Sequence, residues 1–260
     1  MNWIEALILG IVQGLTEFLP VSSSGHLEIG KHLLGADVTQ SLEFTVIVHG
    51  ATVLSTVVIF WKDIVGLFKS FFTFKKNEET SFVWKIVISM IPVGIVGVLF
   101  KDEVEQFFNG NMHFVGAMLI VTSALLALTM LAKNRGKHIS YLDSFIIGIA
   151  QAVAVLPGIS RSGATIATGL LLGNKKEEVA KFSFLMVIIP ILGANLKELF
   201  SGEFGNNQDI SAIVLVVGFF AAFISGLFAC RWMISIVKRG NLYYFALYCL
   251  VIGSLALIFG

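Results

Sequence analysis

Along the chain, apolar residues gather into six long runs, at about 42–61, 83–100, 113–132, 182–200, 211–230 and 242–259. Each approaches the ~20 residues that span the hydrocarbon core of a bilayer as a helix. Two further regions, about 2–35 and 142–173, are apolar but interrupted by Pro, Gly and a cluster of Ser. Past each interruption only about ten residues remain before polar residues return, a helical rise of ~15 Å against a ~30 Å core. A half-helix of that length dips into the membrane and comes back. The pattern predicts an all-α polytopic membrane protein with six transmembrane helices plus two re-entrant helix–loop–helix segments.

Composition supports that class. Of 260 residues 56% are hydrophobic and 13% charged, where soluble domains carry roughly 25% charge. A soluble core of this length could not hide so much apolar surface. A net charge of +1 leaves no electrostatic footprint for nucleic acid. The 23 Phe suit lipid-facing helix surfaces. Cys230 and Cys249 both sit in apolar runs and form neither a disulfide framework nor a CxxC metal site, so both are expected to be buried or lipid-facing. The start, Met1 to Glu5, lacks the basic residues of a cleavable signal, and the first apolar stretch is expected to belong to the mature protein.

Charge sets the orientation. Most of the 18 basic residues fall in four connections: Lys62, Lys69, Lys75, Lys76 and Lys85; Lys133, Arg135 and Lys137; Lys175, Lys176 and Lys181; Arg231, Lys238 and Arg239. The alternate connections carry Asp102, Glu103 and Glu105, then Glu203 and Asp209, with only Lys31, Lys101 and Lys197 nearby. Basic connections face the cytoplasm. Region 142–173 is flanked by basic loops on both sides and therefore enters and leaves from the cytoplasm, which places residues 36–41 outside.

The two broken regions resemble each other. One reads Gly10-Ile-Val-Gln13-Gly-Leu-Thr-Glu17-Phe-Leu-Pro20-Val-Ser22-Ser23-Ser24-Gly25-His26, the other Gly148-Ile-Ala-Gln151-Ala-Val-Ala-Val-Leu-Pro157-Gly-Ile-Ser160-Arg161-Ser162-Gly163-Ala164. Gly, Ile, Gln, Leu-Pro and Ser-x-Ser-Gly recur in order with a one-residue slip near the proline. Three spans follow each motif, so the second copy is upside down. The reading is a single membrane domain over 1–260, an inverted-topology repeat with halves of about 1–132 and 139–260. Two unrelated Gly/Ser kinks would be the bland alternative, but Gln, Pro, Ser, Ser and Gly recurring in order at matched offsets, the proline slipped by one, speak against it. Inverted repeats bring half-helix ends together near the midplane.

Polar groups at membrane depth are costly and are functional candidates by default. Helices beginning near Gly25 and Gly163 would point free backbone N–H groups at the centre, which suits an anion, phosphate above all. Arg161 adds a planar fork for two hydrogen bonds to phosphate. Ser22, Ser24, Ser160, Ser162 and Thr165 add hydroxyls, and Gly25 and Gly163 allow close approach. Glu17 is a candidate general base or, with Gln13 one turn away, a ligand for a hard divalent cation. His26 can transfer a proton near neutral pH, and Ser23 can act as nucleophile if a base takes its proton. Plainer roles compete: Glu17 pairing with Arg161, Ser22 and Ser24 capping a half-helix, and Thr16, Ser162 and Gln151 packing. His32, His49, His113 and His138 receive no role, Glu28 and Glu43 read as solvated or interfacial, and Lys175-Lys176-Glu177-Glu178 as a surface turn.

At these motifs the chain resembles the undecaprenyl-diphosphatase family, the bacitracin-resistance phosphatases, over essentially its whole length. The resemblance rests on Gln13-x-x-x-Glu17, Pro20-Val-Ser-Ser-Ser-Gly-His26 and Pro157-Gly-Ile-Ser-Arg-Ser-Gly-Ala-Thr165. It implies an enzyme that hydrolyses undecaprenyl (polyprenyl) diphosphate to the monophosphate and inorganic phosphate, recycling the lipid carrier of cell-wall synthesis. It also implies a divalent cation, Mg²⁺ or Ca²⁺, and a site in the bacterial plasma membrane open to the extracytoplasmic side. Glu17, Ser23, His26 and Arg161 are the catalytic residues it implies, followed by Ser160 and Thr165. Where many relatives have Glu this chain has Gln13, which leaves Glu17 the only carboxylate of the motif pair. An inverted-repeat transporter or lipid-phosphate flippase is the alternative from another class. A phosphatidic-acid-type phosphatase shares SGH and SR elements but needs a His after Arg161 that this chain lacks. Oligomer formation and the identity of the nucleophile are left open.

Overall fold

A computed structural model describes the backbone of all residues except 35–40, 73–76, 109, 134 and 201–209, and side chains except those and 34, 41, 42 and 197–200. Lys75, Lys76, Lys197, Glu203, Asp209 and nearly all of connection 36–41 thus lie outside the described residues. The elements are helices α1 (Trp3–Phe18), α2 (Ser23–Leu34), α3 (Ser41–Ile59), α4 (Trp61–Phe72), α5 (Glu78–Leu99), α6 (Lys101–Glu105), α7 (Met112–Leu128), α8 (Tyr141–Val153), α9 (Arg161–Leu171), α10 (Lys176–Met186), α11 (Ile188–Phe200), α12 (Ala212–Arg239) and α13 (Tyr243–Phe259). Among the described residues there is no strand, only an isolated bridge between Lys137 and Asn174.

Four helical stretches are long and apolar enough to cross a membrane: Glu78–Leu99, Met112–Leu131, Lys176–Leu196 and Ala212–Arg239. A fifth is reached if Glu43–Ile59 and Trp61–Phe72, which meet at 79°, count as one. The run expected to end at about 61 therefore stops at Ile59, and the basic stretch beyond it is helical. α4 carries Ile64 and Leu67 against the main core and leaves Trp61, Phe68 and Phe72 exposed. α13, with 17 residues, is apolar but shorter than a full span.

Each broken region is a pair of helices. α1 and α8 start alike, on capping boxes formed by Asn2 with Glu5 and by Ser140 with Asp143, which satisfy backbone donors of the first turn. α1 ends just before Pro20, and α8 ends at Val153 with a short turn leading to Pro157; neither helix can continue through its proline, whose ring forbids the helical hydrogen bond. α2 and α9 then restart. α1 packs along α12 and α8 along α5, both through glycine. A Cβ on Gly10 would lie 2.6 Å from the Gly218 carbonyl oxygen, and one on Gly148 would collide with the Ser89 backbone. α7 and α13 pack through Gly116 and Gly253, where a Cβ on either would come within 2.7 or 2.8 Å of the other's carbonyl oxygen.

The large core cluster joins Phe18, Ile147, Ile166, Phe182, Phe184, Cys230 and Cys249 among others, and both cysteines are free and fully buried. Two polar expectations are corrected. Glu28 and Glu43 are buried rather than solvated, Glu28 with Lys31 at 3.1 Å. The Lys175–Glu178 run is more than a surface turn: Glu178 accepts from the Ile139 backbone N–H and from His138, and Lys175 reaches His138, so the start of α10 holds the approach to α8.

Candidate functional site

The two helix breaks are built alike and abut. After Pro20 the chain reaches Ser22 with φ 71°, and after Pro157 it reaches Gly158 with φ 96°. A left-handed backbone suits glycine and costs a serine, so the break before α2 holds strain that the extra residue Gly158 avoids in the other copy. Ser22 Oγ accepts from Gly25 N at 3.3 Å and lies 3.3 Å from Ser24 Oγ. Ser160 Oγ accepts from Gly163 N at 3.0 Å and lies 3.3 Å from Ser162 Oγ. Both serines thus cap their half-helices. Ser162 Oγ donates to the Leu19 carbonyl at 3.1 Å, and a Cβ on Gly25 would sit 3.1 Å from Gly158 Cα. The glycines allow the two breaks to touch.

Glu17 is the hub between them. Its Oε2 accepts from Gln13 Nε2 at 2.9 Å and from Ser23 Oγ at 2.7 Å, and its Oε1 accepts from Arg161 Nη2. Gln13, Glu17 and Ser23 come from the first motif and Arg161 from the second. The carboxylate is buried. A buried carboxylate is tolerated when paired and fully hydrogen-bonded, and removing the partner is strongly destabilising. The pairing with Arg161 and a role in chemistry are therefore not exclusive. Ser23 is bonded to Glu17, not to His26, so the carboxylate is the group placed to take its proton. His26 instead faces the Ser22 carbonyl and, across the site, Tyr248.

The remaining expected residues take supporting positions. Thr165 Oγ1 donates to the Arg161 carbonyl at 2.9 Å and lies 2.6 Å from Ser183 Oγ, fixing α9 on α10. Thr122 of α7 holds the second break, donating to the Gly158 carbonyl at 3.0 Å and accepting from Ser160 N at 2.9 Å. Among the described residues, several buried polar atoms have no partner, with Gln13 Oε1, both amide atoms of Gln151 and Arg161 Nη1 among them. Orphans of this kind are rare in folded proteins and concentrate where something else binds.

Sequence reasoning missed His49. On α3, its Nδ1 lies 2.8 Å from the Thr45 carbonyl and its Nε2 3.9 Å from Glu17 Oε2. The one available signal was a lone imidazole in an apolar run. Tyr248, Ser183 and Thr122 left no signal, because hydroxyls of this kind are common in apolar helices.

Apolar helices long enough to cross a bilayer, with a buried Glu–Arg–Ser cluster where two broken helix pairs meet, define a polytopic α-helical membrane protein with an internal polar site suited to an anion. The chain belongs to the family described as Bacitracin resistance protein BacA, which it matches over residues 6–255. It is 59% identical over 256 residues to a Parabacteroides distasonis protein named undecaprenyl-diphosphatase, covering 97% of this chain and 96% of the relative. Proteins of the same name from Bacteroides fragilis (strain ATCC 25285) and Oceanobacillus iheyensis are 57% and 42% identical, covering 99% and 98% of this chain and 98% and 96% of theirs.

Proposed function

We propose that the protein hydrolyses undecaprenyl diphosphate to undecaprenyl phosphate and inorganic phosphate, returning the lipid carrier to cell-wall synthesis. The observation that carries this reading is the buried Glu17 carboxylate, bonded at once to Ser23 of its own motif and Arg161 of the opposite one. One contact activates a hydroxyl. The other holds a guanidinium whose Nη1 has no protein partner and can be given to a phosphate oxygen. The N-termini of α2 and α9, at the two abutting breaks, add positive dipole ends.

In this mechanism the terminal phosphoryl group lies between the two half-helix starts. Arg161 and the N–H groups of the breaks stabilise charge on its oxygens as the bond to the bridging oxygen loosens. Glu17 takes the proton of the attacking hydroxyl, that of Ser23 or of a water, and His26 serves as the site's second acid–base group. Ser22, Ser24, Gly25, Ser160, Ser162 and Gly163 shape the cradle, and Thr165 supports it.

A divalent cation fits the donor set in part. Among the described residues no three His, Cys, Asp or Glu side chains converge on one point. Glu17 and the unpartnered Gln13 Oε1 are hard oxygen donors, and Mg²⁺ commonly uses one or two protein oxygens with phosphate oxygens and water. Such an ion would neutralise diphosphate charge.

The membrane arrangement we propose is the inverted repeat, six spans with re-entrant segments at about 2–35 and 142–173 and the site open to the extracytoplasmic side. The twin caps at Ser22 and Ser160, the matched packing of α1 on α12 and α8 on α5, and the reciprocal Gly116–Gly253 contact support it.

The test is phosphate release from undecaprenyl diphosphate by the purified protein in detergent, with and without a chelator. Release is expected, with loss of at least about 100-fold in Glu17→Gln and Arg161→Ala samples of unchanged helix content. Full activity in both variants would overturn the scheme, and transport of the lipid without phosphate release would overturn hydrolysis itself.

A further inference from the structure

Both ring nitrogens of His26 are engaged. Nδ1 lies 2.8 Å from the Ser22 carbonyl oxygen and Nε2 lies 2.9 Å from the Tyr248 hydroxyl. A carbonyl can only accept, so Nδ1 carries the hydrogen. In the neutral ring Nε2 then keeps its lone pair and accepts the hydrogen of Tyr248. The two rings are nearly parallel, 11° between planes with centroids 5.5 Å apart.

Tyr248 is carried to this position by the frame that also holds the second break. Ser123 of α7 donates to the Ala246 carbonyl at 2.6 Å, two residues before Tyr248, while its neighbour Thr122 holds Gly158 and Ser160. The Gly116–Gly253 contact clamps α13 to α7 on the other side of Tyr248. One rigid helix therefore sets both the phenol and the loop that presents Arg161. Tyr248 is itself 42% exposed, and a phenol hydrogen can rotate about its C–O bond.

We infer that Tyr248 is a positioning residue for the reaction: the Ser22 carbonyl sets the tautomer of His26, and the Tyr248 hydroxyl fixes the plane of the ring and the placement of Nε2, the nitrogen that takes up a proton. This rests on the acid–base role given to His26 above. When Nε2 is protonated the contact survives with its direction reversed: Nε2–H donates to the phenol oxygen, and the phenol hydrogen turns to the exposed side. The imidazole gains and loses charge without moving. The proton it holds is the one Glu17 removes from the attacking hydroxyl, and it passes on to the released phosphate or to solvent, leaving Glu17 ionised and His26 neutral for the next turnover.

Tyr248→Phe keeps the ring and removes only the hydroxyl. The expected result is a fall of about tenfold in kcat for phosphate release with KM changed by less than about twofold. In a His26→Gln background the same substitution is expected to have no further effect, because the hydroxyl acts through the imidazole. Nitrogen NMR of the ring, with the His26 signal identified by its loss in His26→Gln, is expected to show the Nδ1–H tautomer in both proteins and a shift of the Nε2 signal in Tyr248→Phe, where that nitrogen loses the phenol hydrogen bond. Unchanged kcat with an unchanged Nε2 signal would overturn the proposal, as would a tenfold effect that persists in the His26→Gln background. Full activity of His26→Gln alone would remove the acid–base role of His26 and this proposal with it, while hydrolysis of undecaprenyl diphosphate would stand.

Discussion

Glu17 and Arg161 each carry a cost that the other offsets. A charged group withdrawn from water loses several kcal/mol of hydration, and the loss is recovered only with a close partner and satisfied hydrogen bonds. Glu17 has three such bonds, while Arg161 keeps one nitrogen unused. Arg161→Ala is therefore expected to destabilise the protein by about 3–5 kcal/mol, because it strands a buried carboxylate. Glu17→Gln combined with Arg161→Ala is expected to recover much of that loss, since no charge is left to bury. Thermal unfolding in detergent checks both, and a double variant no more stable than Arg161→Ala would contradict the account. At this scale the sequence was informative where a motif marked the residue. Glu17, Ser23 and Arg161 stood inside the two related motifs, at positions that do not themselves repeat, and do converge. His49 and Tyr248 stood in none, and their proximity follows from helix packing that a linear reading does not contain.

Helices are placed in this protein by close backbone approach as much as by side-chain interlock. Without a hydrophobic drive between helices in lipid, small residues that let backbones touch become the means of association. Gly10 on α1 is such a point, facing Gly218 and Ala221. Gly10→Val is expected to lower the unfolding temperature and, by pushing α1 off α12, to displace Glu17 two turns further on. Gly97 on α5 is the control: a Cβ there meets nothing within 4 Å, and Gly97→Ala is expected to be neutral or stabilising by up to about 1 kcal/mol through helix propensity. Equal losses for the two would show that glycine content, not contact, matters. The helix breaks were legible in the sequence, because proline followed by serine and glycine has few other outcomes. α4 was not. Lys62, Asp63 and Lys69 interrupt its apolar run, and only the spacing of Trp61, Ile64, Phe68 and Phe72 carries the helical period.

For the molecule as a whole, the distribution of basic residues and the two broken regions together imply which way it sits in the membrane. Single cysteines at Lys62 and Lys238 are expected to react with an impermeant thiol reagent only after cell lysis, and one at Asp102 in intact cells. Cys230 and Cys249 are fully buried and should give little background. The reverse labelling pattern would invert the orientation and place the site on the cytoplasmic side. The general class, all-helical and membrane-embedded, was legible from composition alone. The number of spans was less so, because a bent pair and a 17-residue helix blur the line between crossing and dipping.

The pairing of Glu17 with Arg161 across 144 residues of chain has a consequence for how the protein is made. At about 5–20 residues per second, roughly 7–30 s separate the synthesis of the two. Through that interval the carboxylate has left the ribosome while its guanidinium does not yet exist. Since an unpaired charge at membrane depth is costly, the first helix pair must wait at the water-filled edge of the insertion machinery, or carry a proton, until the second arrives. The arrival of Arg161 ends that wait, and a chain arrested before that residue should be recognised by quality-control proteases as unfinished.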